Sequence, residues 1–447
     1  MAELTAHEQL LLELVNRARL DPAGEAARYG IALNEGLAAG TITAASKDPL
    51  APNGLLVDAA RDHSSWMIAS DVFSHAGAGG SSPTQRMSDA GYSLTGSWRT
   101  GENIAWVGTT GSVDVEAFTF SIHRNLFLSS GHRENILSES FRELGTGIAT
   151  GVFTTSRDWN AVMATEAFAR SGSSFFVTGA VYDDADGDLF YDIGEARAGV
   201  SVTVAGAGST LSQSAGGYAM AFAGGTATVT FSGGGLTSPV VVTVAAGQHN
   251  VKVDHIGDGE VLSSATTTLG TGARDLGLLG NRDLDGTGND AANAISGNGA
   301  VNVLSGLGGD DVLLGLGGSD ILRGGAGSDV LVGGGGRDTL LGGADADVFD
   351  FNVLGDSRKG GQRDIVADFE RGLDHIDLID IDAKLGGGDN AFKWIGKKDF
   401  HGRKGELHYV KKAGYVIVEG DTNGDGRADF QIKVDSVSKL GGGDFIL

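Results

Sequence analysis

The chain has 447 residues, a length that suggests about three domains. Its 57 acidic residues outnumber 33 basic ones for a net charge of -24, which argues against nucleic acid or an anionic membrane as partner and favours cations. Without cysteine there are no disulfides and no thiolate chemistry, and 74 glycines beside 5 prolines, with no Gly-X-Y period, exclude a collagen-like rod.

The N-terminal stretch MAELTAHEQLLLELVNRARLDP lacks a basic segment, an apolar run and a small-residue cleavage site, so no Sec-type signal peptide is expected. No run of about 20 apolar residues predicts a transmembrane span. Leu10, Leu11, Leu14, Val15 and Ala18 sit at helical spacing behind Thr5, with Glu8 three residues on completing a capping box. Asp21-Pro22 ends that helix. A second amphipathic stretch runs from about Leu55 to Ser70, and WNAVMATEAFA reads as a strand.

Between these lie VFSHAGAGGSSPTQRMSDAGY, WRTGENIAWVG, IHRNLFLSSGHRENIL and FRELGTGIA. With LLELVNRARLDP before them they resemble the CAP superfamily (SCP/PR-1-like) over roughly residues 5–170. The resemblance implies a three-layer α-β-α sandwich with a cleft lined by two His and two Glu. His75 maps onto the first His, Glu102 onto the first Glu and His132 onto the second His. The second Glu position falls on His123. Three imidazoles and one carboxylate suit Zn²⁺ better than a paired-carboxylate reaction. Glu134 and Glu116 are alternatives for the missing carboxylate, and His63 reads as structural. Ser74, Ser129 and Ser130 adjoin the histidines without a nucleophile elbow.

From about 175 to 253, Val/Thr/Phe runs alternate with Gly/Ser turns: FFVTGAVY, AGVSVTVAG, GGYAMAFAGG, TATVTFSGGG, PVVVTVAAG and HNVKVD. About seven short strands predict a small β-sandwich. Its DADGDLFYDIGE places Asp184, Asp186, Asp188, Asp192 and Glu195 at EF-hand spacing, with the Phe190 carbonyl at the seventh place and Leu189 where Gly belongs. The surroundings resemble the prealbumin-like spacer modules of bacterial surface proteins. Residues 255–287 read as a polar linker.

From Gly288 the chain repeats every nine residues: GNDAANAIS, GNGAVNVLS, GLGGDDVLL, GLGGSDILR, GGAGSDVLV, GGGGRDTLL, GGADADVFD. The sixth place holds Asn293, Asn302, Asp311, Asp320, Asp329, Asp338 and Asp347. The eighth is always apolar. Glycine turns between short strands, each offering carbonyls and a carboxylate, suit Ca²⁺, and the like charges predict folding only on loading. One inward side chain per unit predicts a single apolar column shared by stacked units. These units resemble the calcium-binding nonapeptide repeats of RTX proteins, which implies a parallel β-roll.

DVFDF, RDIVADFERGLDHIDL, GDTNGDGRADFQIKV and the terminal DFIL resemble the serralysin-type C-terminal region. That implies export by type I secretion machinery to the extracellular medium, without an N-terminal signal peptide. The protease itself is not implied, because no His-Glu-x-x-His occurs. In DTNGDGRADF, Asp421, Asn423, Asp425 and Asp429 are a second candidate calcium loop or a hairpin turn, since Ile432 stands where a closing acid belongs.

The expected fold is multi-domain: an α-β-α sandwich over 1–172, a small β-sandwich module over 175–254, a linker over 255–287, a β-roll over 288–350 and a β-rich secretion region over 351–447. The expected function is a secreted calcium-binding protein whose N-terminal domain binds an extracellular ligand: a lipid, a cell-wall component or a protein. The alternatives are a metal-dependent hydrolase using the His/Glu cleft and a structural adhesin.

Overall fold

Thr5 caps the first helix as its sequence predicts: its hydroxyl accepts the Glu8 N–H while the Glu8 carboxylate accepts the Thr5 N–H. In the computed structural model, which describes residues 2–384 and 390–447, this helix is α1, Ala6–Leu20. Asp21 ends it and caps α2, Pro22–Arg28, through the Gly24 N–H. The amphipathic stretch forms α3, Gly54–Ser70, and α4 (Pro83–Asp89), α5 (Val115–Leu128) and α6 (Ser130–Ile136) follow.

Strands β1 (Ala51–Pro52), β2 (Arg99–Thr109), β3 (Glu143–Thr154) and β4 (Asp158–Arg170) form a sheet in the order β1-β3-β4-β2, antiparallel except for β1 beside β3. Alternation along β4 sorts its side chains between two faces. Val162, Ala164 and Phe168 pack with α1, α5 and α6, whereas Ala167 and Ala169 pack with α3 and Met87 of α4. Helix α3 lies almost on the sheet. A Cβ on Gly145 would collide with the backbone of Leu56 and Val57, and one on Gly147 with that of Ala60 and Arg61.

The chain divides into two units, residues 1–264 and 265–447. The first therefore also contains the next seven strands: Phe175–Tyr182, Val200–Val204, Gly208–Leu211, Gly217–Phe222, Gly225–Gly233, Val240–Gly247 and Val251–Ile256. They match the Val/Thr/Phe runs of the sequence. Phe175–Tyr182 pairs with Gly217–Phe222 and Val251–Ile256. Gly225–Gly233 pairs with Val200–Val204 and Val240–Gly247. Phe231 of the second set touches Tyr218 and His255 of the first, with ring centroids 5.9 and 5.1 Å apart.

These strands are joined tightly to the helical part. Lys252 is buried, with its ammonium 3.0 Å from Glu13 Oε2 of α1 and bonded to Asp254. Asn250 donates to the carbonyls of Pro49 and Arg142, and Arg142 lies over the Phe175 ring at 4.3 Å.

The expected linker is strand. Glu260–Ser263, Thr266–Leu269, Asp275–Leu278 and Asp285–Thr287 occupy it, with Val261, Leu262, Leu269, Leu276 and Leu278 buried. In the second unit, Thr266–Leu269 pairs in parallel with Asp285–Thr287, and Asp275–Leu278 with Ala294–Ser296. The parallel stacking thus begins before the first recognisable nonapeptide.

Through the repeats the register advances by two units. Val303 faces Ile321, which faces Thr339, while Val312 faces Val330, which faces Val348. Odd and even repeats build separate parallel sheets. The single apolar column expected from the period is two: Leu304, Leu322 and Leu340 in one, and Ile295, Leu313, Leu331 and Phe349 in the other, all buried. The first sheet continues to Asp364–Val366 and Phe430–Asp435, the second to His375–Asp377 and Phe445–Ile446.

Candidate functional sites

The N-terminal cleft is assembled from three elements. His75 follows α3, Glu102 lies on β2 and His132 on α6. His75 Nδ1 is 2.9 Å from Glu102 Oε1. The other carboxylate oxygen accepts from the Arg86 guanidinium of α4, which also donates to the His75 carbonyl at 3.1 Å. His63 of α3 stands behind, with Nε2 3.0 Å from the Ser74 carbonyl and 3.9 Å from Glu102. Burial pushes the His63 imidazole below its ordinary pKa. Burial does the same at His132, helped by the neighbouring His75.

Helix α6, which carries His132, is held to β2 by a buried polar chain. Asn135 donates to Asn103 Oδ1 at 2.9 Å, and Asn103 donates to Glu166 Oε2 at 2.9 Å and to the His132 carbonyl at 3.2 Å. The Glu166 carboxyl is fully buried with Oε1 unpartnered, and burial pushes its pKa up to about 7. Beside α6 opens a cleft of about 760 Å³ whose walls include Trp98, Thr100, Glu134 and Asn135.

His123 does not join the cleft. Its side chain is buried in α5, with Nε2 2.9 Å from Glu25 Oε1. Hydrogen bonds from His123 and Arg17 overcome burial and hold the Glu25 carboxyl down at about 2. The helical phase of α5 turns His123 toward α2. The expected first shell of three His and one Glu is therefore not gathered, and Glu102 is already engaged by a guanidinium that would repel a cation. Zn²⁺ does not fit this arrangement. Arg86, the cleft residue that sequence reading missed, sits inside the quoted SPTQRMSDAGY. Its role depends on a contact with a strand 16 residues on, which no local signal announces.

The loop after Phe175–Tyr182 gathers Asp184, Asp186 and Asp188, whose carboxylate oxygens lie within 4.8 Å of one another. Among the described residues this is the group of three acids or histidines with that spacing. Leu189 takes a φ of 59°, the left-handed turn that this loop place needs and usually assigns to Gly. Glu195 closes the loop, accepting the N–H groups of Ala185 and Asp192 at 2.8 and 3.0 Å. Burial and the charges of Asp188, Glu195 and Asp186 push the Asp192 carboxyl up to about 6. Phe190 turns its ring beneath Arg17, 5.0 Å from the guanidinium carbon.

Asp421, Asn423, Asp425 and Asp429 form the turn between Tyr415–Asp421 and Phe430–Asp435, an antiparallel hairpin. Their side chains bond within the turn, in the same pattern by which Asp184 accepts the Gly187 and Leu189 N–H groups. Asp421 accepts the Gly424 and Gly426 N–H groups, and Asp429 accepts those of Thr422 and Asn423.

The repeat carboxylates show one arrangement many times over. Each Oδ1 accepts the N–H of the residue one coil earlier: Asp311 from Asn293, Asp320 from Asn302, Asp329 from Asp311, Asp338 from Asp320 and Asp347 from Asp329, at 2.7–3.0 Å. Asn302 differs: its Oδ1 accepts the Asn298 N–H four residues before it, and its amide donates to the Leu284 carbonyl one coil earlier. Each Oδ2 of Asp311, Asp320, Asp329, Asp338 and Asp347 is buried and unpartnered. A Cβ on Gly306 would collide with Asp311 Oδ2 and lie 2.7 Å from the Gly324 carbonyl, so the orphan oxygen and a carbonyl face the same glycine-cleared space.

Burial pushes Asp311 and Asp338 up to about 6, and Asp320 and Asp347 to about 7. Hard oxygens that are buried and unpaired fit a calcium ion, which would satisfy the oxygen and restore the charged form. Asp364 and Asp374 extend the two columns, accepting from the Asp338 and Asp347 N–H groups at 2.8 and 3.1 Å. Sequence reading missed them because the interval stretches from 18 residues to 26 and 27.

Residues 12–163 match the cysteine-rich secretory protein family, CAP, and residues 285–447 match the serralysin C-terminal region of peptidase family M10. No curated protein matches the chain. Among solved structures it is similar to an extracellular protein containing an SCP domain from Bacillus anthracis str. Ames, at 20% identity, 38% of this chain, 45% of that one and TM-score 0.24. It is also similar to an outer surface protein of Borrelia burgdorferi, at 13% identity, 38% of this chain, 97% of that one and TM-score 0.25. A third is a subunit of the Azotobacter vinelandii mannuronan C5-epimerase, at 22% identity, 36% of this chain, 80% of that one and TM-score 0.19. The chain thus spans less than half the length of the first of these. Among the described residues no helix is long and apolar enough to cross a membrane.

Proposed function

From a chain that carries a CAP domain at residues 12–163 and a serralysin C-terminal region at 285–447, we propose a calcium-loaded protein exported by type I secretion machinery, whose CAP domain binds an extracellular ligand. The repeats from 288 to 350 act as a β-roll that folds on calcium outside the cell. The observation that carries this reading is the series of buried, unpartnered Asp Oδ2 atoms in the roll. Left ionised and bare, such oxygens cost about 1–3 kcal/mol each. Extracellular calcium modules bind at roughly 10⁻⁴–10⁻³ M, which keeps the roll unfolded in the cytosol and drives it on outside. The loop of Asp184, Asp186 and Asp188, closed by Glu195, is proposed as a further calcium site in the β-sandwich module.

Within the CAP domain, ligand binding is favoured over hydrolysis. Glu102 is engaged by Arg86 and His75 and is not poised as a free base. The test is circular dichroism of the whole protein titrated with calcium after chelation. A cooperative gain of β-structure is expected, and Asp320→Asn with Asp338→Asn should raise the midpoint several-fold. An identical spectrum with chelator and with calcium would sink the reading.

A further inference from the structure

The C-terminal unit carries a basic surface that stands against the charge of the molecule. The chain has a net charge of -24, yet residues 393–412 hold six lysines and Arg403 against Asp399 and Glu406. All seven cations are exposed. Glu406 is buried, with Oε1 2.9 Å from His401 Nδ1, so it does not screen them at the surface. Among the described residues, the other ion pairs of this sheet are His408 with Glu419 and Lys433 with Asp435. Lys393, Lys397 and Lys398 join none of them.

The fold concentrates these charges. Lys393–Gly396 pairs in parallel with Glu406–Lys411, setting Lys393 opposite Glu406. The connection between the strands brings Lys398, His401 and Arg403 back beside Lys393 and Trp394, around a cleft of about 410 Å³. Glu406 also lines this cleft but is paired to His401, so the charges left facing solvent there are Lys393, Lys398 and Arg403, and cations crowded in this way focus the field on a counter-ion.

We infer that this cleft and its flanking lysines bind an anionic polysaccharide. The aromatic groups decide against single-stranded nucleic acid, which needs free ring faces for its bases. Trp394 lies parallel to Tyr409, 5.8 Å between centroids, and 4.7 Å from Phe445, while Lys397 covers Tyr409 at 5.6 Å. A linear acidic glycan asks only for a row of cations that meets its regularly spaced charges. This site is separate from the N-terminal cleft, and its failure leaves the reading of the CAP domain untouched.

The test uses the full, calcium-loaded chain with heparin, polygalacturonate and neutral dextran. Binding to heparin or polygalacturonate and not to dextran is expected, weakening about tenfold or more between about 50 and 300 mM salt. The two polymers distinguish a sulfate-led from a carboxylate-led site. Lys393→Gln/Lys397→Gln/Lys398→Gln should weaken binding about tenfold with the calcium-induced dichroism intact, a salt slope reduced with it. The inference is overturned by no binding of either acidic glycan at low salt, or by unchanged affinity in the triple variant. Tighter binding to single-stranded DNA or to phosphatidylglycerol vesicles than to both glycans overturns it as well.

Discussion

Glu166 illustrates how one residue sets a pH response. Its carboxyl is wholly buried in the CAP domain, bonded through Oε2 to Asn103 and unpartnered at Oε1. Burial raises its pKa from 4.5 to about 7. The folded state therefore keeps a proton that the unfolded state has released, and the associated stability is full below the unfolded pKa and is lost as pH rises through 7. Thermal unfolding of the N-terminal unit should shift to lower temperature between pH 5 and 8, and Glu166→Gln should flatten that dependence and stabilise the alkaline side by about 1–3 kcal/mol. An equal pH slope in the variant would reject the assignment. Gly147 sets a second limit at this scale. Its missing Cβ admits the α3 backbone at Ala60 and Arg61, so Gly147→Ala should cost about 1–3 kcal/mol, measured by denaturant unfolding.

Elements differ in how plainly the sequence announces them. Helix α1 was legible because a capping box, an apolar stripe and a Pro stop agree. The strands from 175 to 256 were legible because β-branched runs alternate with Gly turns. Residues 255–287 looked like a linker because each strand there is three or four residues long, too short for alternation to register. Counting along the chain places His123 in the cleft, yet the phase of α5 directs it to Glu25. The repeats revealed their period but not that alternate units stack, which follows from the strand-turn-strand-turn geometry of a coil and needs the register to be seen.

That geometry yields a prediction for the roll as an element. Calcium needs the ionised carboxylate, while burial raises Asp320 and Asp347 to about 7 in its absence. In the unfolded chain the same carboxyls titrate at about 4, so folding on calcium exchanges few protons between pH 8 and 6. The calcium concentration at the folding midpoint should stay level over that range and rise below about pH 5. A midpoint that already rises from pH 8 to 6 would show a folded, calcium-free roll holding protons at Asp320 and Asp347 and contradict folding on loading.

At the scale of the molecule, the first unit joins what the sequence separated at residues 172–175. Glu13 of α1 and Lys252 and Asp254 of the β-strand Val251–Ile256 form a buried triad of one cation and two carboxyls. Burial raises the Glu13 carboxyl above its ordinary value, and Lys252 opposes the rise. A spacer module loosely tethered to a binding head would not bury an ion cluster at its junction, because desolvating those groups is repaid only where geometry is fixed. The strands from 175 to 256 are better understood as a rigid extension of the CAP domain. Removing the cation leaves two carboxyls facing each other out of water, at a cost of about 3–5 kcal/mol. Calorimetry of the full chain should show one transition that appears only with calcium and one that persists in chelator. In chelator, Lys252→Ala should lower the persisting transition as a single peak in which the helical part and the strands from 175 to 256 melt together. If that transition splits, or stays where it was, the two parts are independent and the spacer reading returns.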